Sequence, residues 1–434
     1  MLMVYVDNVT SRVEYLFKFL LTSILGIDIS FTSEIETFID HRTQKISYTR
    51  YHLRSGLFFE AHSSLLFERG IRDNMDLHIE FVDGIPYFFK TSAACTMGFD
   101  IFAASFYLMS RYEEYLPYVP DGHHRFPARV SLAYKKGFIR KPIIDIWAMR
   151  LLEVLKKHFP DLNPPQRSFK FINLFSVSKV WTYRGMGVLR NIAGSLEDLL
   201  CSDFKALSQR AATIFGKCRD PFDTYDDIIN YHKKYKLCTI LFFLVGRYDM
   251  YDRNVSIYHP DFRRLIKYMA DDVKVGWYSS YASTYNPHLL VEEKKCMEGI
   301  LYYPVTRSLQ YFVKLHLPDT YRNLIELDIE EDYSMGFPDH IGFRAGTCTP
   351  FLFYDLKNDA LTPLKLFPFS ASISALKHYM KLSKKEIQQE LLNLMREVKA
   401  VQGTYIFIMN NKVLSQDLAE EGWRAIYETL LDNL

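Results

Sequence analysis

The chain has no CxxC pair. Its six cysteines stand alone at 95, 201, 218, 238, 296 and 348. A structural zinc knot and a disulfide framework are therefore not expected, and buried thiols in a reducing compartment are. It has no excess of one charge either: 53 basic residues face 51 acidic ones, for a formal net charge of +2. A nucleic-acid-binding protein would show a basic excess or stripe, so none is expected as a partner. The short basic clusters at 156–158 and 233–236 read as solvated helix ends, with contact to an anionic glycan the lesser reading. No apolar run reaches the length that spans a bilayer. The beginning of the chain lacks a basic region, and Glu14 and Lys18 interrupt the apolar stretch from Val13 to Ile27, so no signal peptide is expected. Phe17, Leu20, Leu21, Ile24 and Leu25 recur at helical spacing instead, as on a core-facing helix. The expectation is a cytoplasmic protein, for which any membrane association would have to be peripheral.

What the chain does have is aromatic residues: 33 Phe and 30 Tyr, within a hydrophobic content of 48%. That composition is globular rather than disordered. A length of 434 residues exceeds one ordinary core and points to two or three domains. No internal repeat is visible.

The first part reads as a small α/β domain. A strand is expected over Met1–Val6, a helix from about Ser11 to Leu25, and extended segments at 45–48, 56–60 and 77–82. Asp83-Gly84 predicts a hairpin turn into 86–89. Phe99–Glu114 is apolar on most sides, which predicts a buried helix. The Pro- and Gly-punctuated stretch 115–127 predicts a loop, and its His123 and His124 have no acidic partner at ligand spacing. A helix over 147–159 stops at Pro160, and Asn163-Pro164-Pro165 marks the domain boundary.

Beyond it, strand and helix signals alternate. Strands are expected at 169–177, 238–245, 273–277, 302–306 and 404–409, with extended pieces at 332–334 and 342–344. The eight-residue apolar run 238–245 marks a strand buried on both faces. Helices are expected at 189–200, 221–235, 261–270, 287–301, 319–327, 383–401 and 418–431. The helix at 383 opens with a Ser-x-x-Glu box. Repeated strand–helix pairs imply a parallel sheet, open or closed as a barrel.

Several stretches then carry a resemblance: LFSVS at 174–178, GWYSSY at 276–281, RSLQYFVK at 307–314, LPDTYRNL at 317–324, DYSMGFPDHIGFRAGTCTPF at 332–351 and IMN at 408–410. Together these resemble bacterial polysaccharide deacetylases, the NodB-like branch of the carbohydrate esterases. FDIFAASFYLMSRYEEYLP at 99–117 and HRFP at 124–127 resemble an upstream domain found in one variant of that family. The resemblance implies a distorted (β/α) barrel over 164–434 behind an α/β domain over 1–163. It also implies metal-assisted removal of acetyl groups, with a divalent ion held by Asp and His, a second carboxylate as base and a His as acid.

This chain departs from that pattern at six ionisable positions, while Arg307, Asp332 and Arg344 are kept. The two carboxylates of T-x-D-x-D are Ser176 and Ser178. The His of G-x-H-P-S-Y is Tyr278, and the His of R-x-R-Q-H-Y-L-R is Tyr311. Ile373 replaces the Asp of a Met-Asp pair, and Met409 replaces the His of W-H-N. Neutral serine is a poor zinc ligand and far too weak a base. The resemblance therefore implies a pseudoenzyme with no metal and no cofactor. Zinc enters only under an alternative reading, an active deacetylase with non-standard ligands. His232, His259, His288, His316, His340 and His378 show no ligand spacing, and Asp220, Asp223, Asp226 and Asp227 read as helix capping.

Trp277, Tyr278, Tyr281, Arg307, Gln310, Tyr311, Asp332, Arg344 and Asn410 are the ligand-binding candidates. A glycan, or a protein of surface-polysaccharide assembly, is the implied partner, because aromatic faces suit sugar stacking. A third reading is a structural subunit whose N-terminal domain makes the contacts. The template further implies that Ser176, Ser178, Tyr278, Tyr311 and Met409 meet at the C-terminal ends of the strands, with Arg344 on the rim.

Overall fold

The computed structural model describes residues 1–73, 75, 77–201, 204–415 and 422–434. The chain opens with β1 (Leu2–Val6), which pairs in parallel with β2 (Ile29–Thr32) and β3 (Lys45–Thr49); β4 (Leu57–Glu60) extends β3. Between β1 and β2 lies the expected amphipathic helix, Ser11–Phe17, continuing as a π-helix over Lys18–Ile24. Thr10 caps it by accepting from the Val13 amide at 3.2 Å. Its apolar face meets the helix Ile101–Met109, all nine residues of which are buried, and Phe17 stacks on Phe102 at 3.9 Å. Asp100 caps that helix through the Ala103 amide. β5 (Glu80–Val82) and β6 (Ile85–Tyr87) form the hairpin that Asp83-Gly84 predicts. The helix Ile143–His158 closes this part.

The larger sheet contains β7 (Lys170–Val177), β8 (Cys238–Leu244), β9 (Lys274–Ser279), β10 (Arg307–Gln310), β11 (Glu331–Asp332), β12 (Phe351–Asp355), β13 (Ala360–Leu366), β14 (Ala371–Ser372) and β15 (Thr404–Asn410). Their order is β12-β13-β11-β10-β9-β8-β7-β15-β14. Every pair is parallel except β12 with β13. The short chain from β13 to β14 passes from the β11 side of this row to the β15 side. Phe367 and Phe369 donate to the Asp332 and Met335 carbonyls at 2.8 and 3.1 Å, and Ser370 donates to the Ile406 carbonyl at 2.9 Å.

The pleat separates two buried faces. One cluster holds Ile172, Leu174, Ile240, Phe242, Leu244, Tyr278, Leu309, Tyr333, Phe369, Ile406 and Ile408. The other strand face joins a continuous apolar core that also takes in the helices and the N-terminal sheet. Both faces of β8 are thus covered, as its apolar run requires. Gly276 lies opposite Phe242 in the register, and a Cβ there would fall 2.4 Å from the Phe242 ring. Only glycine leaves that ring its place.

Several boundaries differ from the sequence expectations. The strand expected at 302–306 begins at Arg307 instead, and residues 342–344 are not a strand. The strand β2, the hairpin β12–β13 and the helix Phe204–Ile214 were not anticipated. Of the helix expected at 418–431, residues 418–421 lie outside the described residues, and Trp423–Asp432 is helical. Cys201, Cys218 and Cys238 are exposed rather than buried; only Cys95 and Cys348 are buried. Asp220 is not a helix cap. Its carboxylate accepts from the amides of Thr182, Tyr183 and Arg184 and pins the loop that follows β7.

Candidate functional site

Strands β10, β9, β8, β7 and β15 end side by side, and four of the six template positions meet there. In the register Ser176 lies beside Asn410, and Tyr278 beside Leu309. The Ser176 hydroxyl donates to the Met409 carbonyl at 3.0 Å and also neighbours the Tyr278 phenol. Ser178 neighbours the Tyr311 phenol. The Tyr278 and Tyr311 rings sit edge to face, 5.0 Å apart. Burial, with Tyr311 alongside, drives the Tyr278 phenol far above its ordinary range, and the Ser176 hydroxyl opposes this. Burial likewise raises Tyr311, against the Ser178 hydroxyl. Both phenols are therefore neutral at physiological pH.

This donor set does not fit the divalent ion that the resemblance implies. Zinc takes thiolate, neutral imidazole or carboxylate. Here it would meet two serine hydroxyls, two phenols held protonated and an amide. The nearby carboxylate is Asp252, whose oxygens already accept from the amides of Tyr281 and Ala282 at 2.9 and 3.3 Å. Burial raises its pKa. Among the described residues no group of three or more His, Cys, Asp and Glu is placed to hold a metal.

Around these groups stands an aromatic wall. Tyr281 lies 4.3 Å from Tyr251 and 5.3 Å from Phe312, and Phe312 lies 4.7 Å from Tyr311. Lys314 is fully buried, with its ammonium 4.1 Å from the Tyr281 ring and 3.6 Å from the Tyr285 ring. That ammonium also donates to the Tyr285 hydroxyl, and the Tyr281 ring face stabilises the charge where water cannot. His123 reaches in from the loop over 115–127; its Nδ1 sits 3.1 Å from the Tyr281 hydroxyl. The Asn410 Oδ1 is buried with no hydrogen-bond partner in the structure.

The remaining candidates lie elsewhere. Met409 and Ile373 point into the helix-side core, so only the Met409 carbonyl faces the serines. Trp277 is buried on that side too and donates to Glu293 at 3.3 Å. Arg307 stands at the start of β10, the opposite end of the strand, and pairs with Glu331 at 2.8 Å. Gln310 accepts from Ser279 at 2.8 Å. Asp332 accepts from Ser308 and Ser334. It does not pair with Arg344, and Arg344 is not on a rim. The Arg344 guanidinium is buried and grips Glu114 of the N-terminal part with two bonds, 2.8 and 2.6 Å long.

Tyr251, Phe312, Lys314 and Asp252 escaped the sequence reading, which singled out His123 but gave it no place at a site. One signal was available: Tyr248-Asp249-Met250-Tyr251-Asp252 lies just beyond the C-terminal end of the long buried strand, in the loop where sites on parallel sheets gather. Nothing near His123 pointed to a position more than a hundred residues away in sequence.

Comparison with known proteins gives three findings. Residues 2–160 match the model of a family of unknown function, DUF7033. No curated protein matches the chain. A solved structure from Mycobacterium smegmatis, described as a "putative polysaccharide deacetylase", is similar to this fold with a TM-score of 0.40 and 8% identity, covering 62% of this chain and 86% of that one.

Proposed function

We propose that the chain is a deacetylase-like protein that has lost metal-dependent hydrolysis and binds a glycan at the mouth formed by β7, β9, β10 and β15. On this reading residues 1–163 are an α/β domain and residues 164–434 a distorted (β/α) barrel. The short segment from β13 to β14, bonded to the β11 side through Phe367 and Phe369 and to β15 through Ser370, supports a closed ring. The observation that carries the functional reading is the meeting of Ser176, Ser178, Tyr278 and Tyr311 beneath an aromatic wall. Where hydrolysis needs ionised groups, the mouth offers neutral hydroxyls. Where a sugar needs a flat apolar face and scattered hydrogen-bonding groups, it offers Tyr251, Tyr281, Phe312 and Asn410. The implied setting is surface-polysaccharide metabolism.

Elemental analysis of the purified chain, joined to calorimetric titration with sugar oligomers, tests this. The expected result is far less than one metal per chain and binding that weakens about tenfold or more in Tyr311→Ala, a loss of about 1.4 kcal/mol or more. Zinc at one per chain with zinc-dependent acetate release would identify a working deacetylase instead. Failure of every oligomer to bind would favour the structural-subunit reading.

A further inference from the structure

We propose that the N-terminal region builds one wall of this glycan site, with His123 touching the ligand and Arg125 positioning Phe312. The inference rests on the glycan reading above and assigns a role to the region that matches a family of unknown function.

Four observations carry it. His123 stands among the mouth aromatics, with ring centres 5.8 Å from Tyr251, 5.8 Å from Tyr281 and 5.0 Å from Phe312. Its Nδ1 meets the Tyr281 hydroxyl, while its Nε2 has no hydrogen bond among the described residues. A partly exposed ring with one nitrogen free is suited to a sugar hydroxyl. Arg125, two residues on, is 2% exposed and bonds in three directions. It reaches Asp121 on its own loop at 2.8 Å, the Phe312 carbonyl at 2.6 Å and the Tyr379 hydroxyl at 2.9 Å.

The target of that second bond matters. Phe312 and Val313 hold φ of 58° and 54°, the left-handed region that side chains other than glycine rarely occupy. Such a backbone persists only where its surroundings dictate it. The Arg125 guanidinium on the Phe312 carbonyl is one such constraint, and it comes from the N-terminal region. The turn it holds sets the Phe312 ring against Tyr251, Tyr281, Tyr311 and His123. A loop serving only to glue two regions together would have no need to leave an imidazole nitrogen open at the mouth.

The test uses the full chain and hexamers of N-acetylglucosamine, glucosamine and galacturonate, titrated by calorimetry. His123→Ala is expected to weaken the best-bound hexamer about tenfold with an unchanged melting temperature. Arg125→Lys keeps a cation for Asp121 but cannot fork to both Phe312 and Tyr379. It is expected to weaken binding by a similar factor. In the unaltered protein the His123 ring resonances should shift when the hexamer is added. Binding that is lost in Tyr311→Ala yet unmoved in His123→Ala, with still resonances, overturns the wall and leaves the glycan site standing. Absence of binding by all three hexamers overturns both. Should Arg125→Lys fail to fold, the two His123 readouts decide alone.

Discussion

Replacing Glu114 with Gln probes the junction between the N-terminal and C-terminal parts of the chain. Glu114 is buried between two buried arginines. It accepts from Arg344 at 2.8 and 2.6 Å and from Arg111 at 2.6 Å. Burial alone would raise its pKa; Arg344 first and Arg111 second overcome this and hold it below the ordinary value of 4.5. Glutamine keeps the shape but removes the charge, and its NH2 then confronts an arginine N–H. Breaking a buried pair from one side costs about 3–5 kcal/mol, because the remaining charge is left uncompensated. Against a total stability of about 5–15 kcal/mol, that is a large fraction. Urea unfolding at neutral pH measures it directly. A loss below about 1 kcal/mol would refute the reasoning, since that is the value of an exposed pair. The sign of the pH dependence follows. A depressed acid contributes stability that is present above its unfolded pKa and lost as pH falls through the folded one. The gap between the parent and Glu114→Gln should therefore narrow below about pH 4.

Three further outcomes are expected. Gly276→Ala drives a methyl against the Phe242 ring, 2.4 Å away, and should cost about 1–3 kcal/mol in unfolding experiments, while an unchanged midpoint would count against the ring's placement. Burial raises Glu293 from 4.5 to about 7, against bonds from Ser280 and Trp277. A raised acid favours the folded protein most below its unfolded pKa, and this contribution is lost as the pH rises through the folded value. Glu293→Gln should therefore be more stable than the parent at about pH 8 and no better at about pH 4, and a gain confined to acid would contradict the assignment. Glu386→Ala removes half of the capping box at Ser383 and should lower the midpoint of thermal unfolding, with an unchanged midpoint counting against the cap.

Long periodic elements were legible in the sequence. The run 238–245 became β8, the run 404–409 became β15, and the Ser383 box formed with both of its bonds. Two-residue strands such as β11 and β14 are too short to show a period, although they carry the link between the ends of the strand row. The stretch 333–349 is almost wholly buried without regular structure. It is held by side chains such as Arg344, whose bond to the Gly336 carbonyl no pattern announces. The site divides the same way. Ser176, Ser178, Tyr278 and Tyr311, picked out by motif position, come together because strand ends keep their order. Met409 was misjudged by the pleat, one residue away from Asn410, which faces the mouth. The aromatic wall came from loops, where contacts depend on tertiary closure rather than spacing.

The most direct measurement is one titration performed twice. The metal-stripped chain is titrated with N-acetylglucosamine hexamer, first without zinc and then with zinc at one equivalent, and acetate is assayed in the recovered cell. A neutral mouth of Ser176, Ser178, Tyr278 and Tyr311 predicts equal affinity in both runs and no acetate in either. Binding that requires zinc, or acetate released only in its presence, would contradict the account.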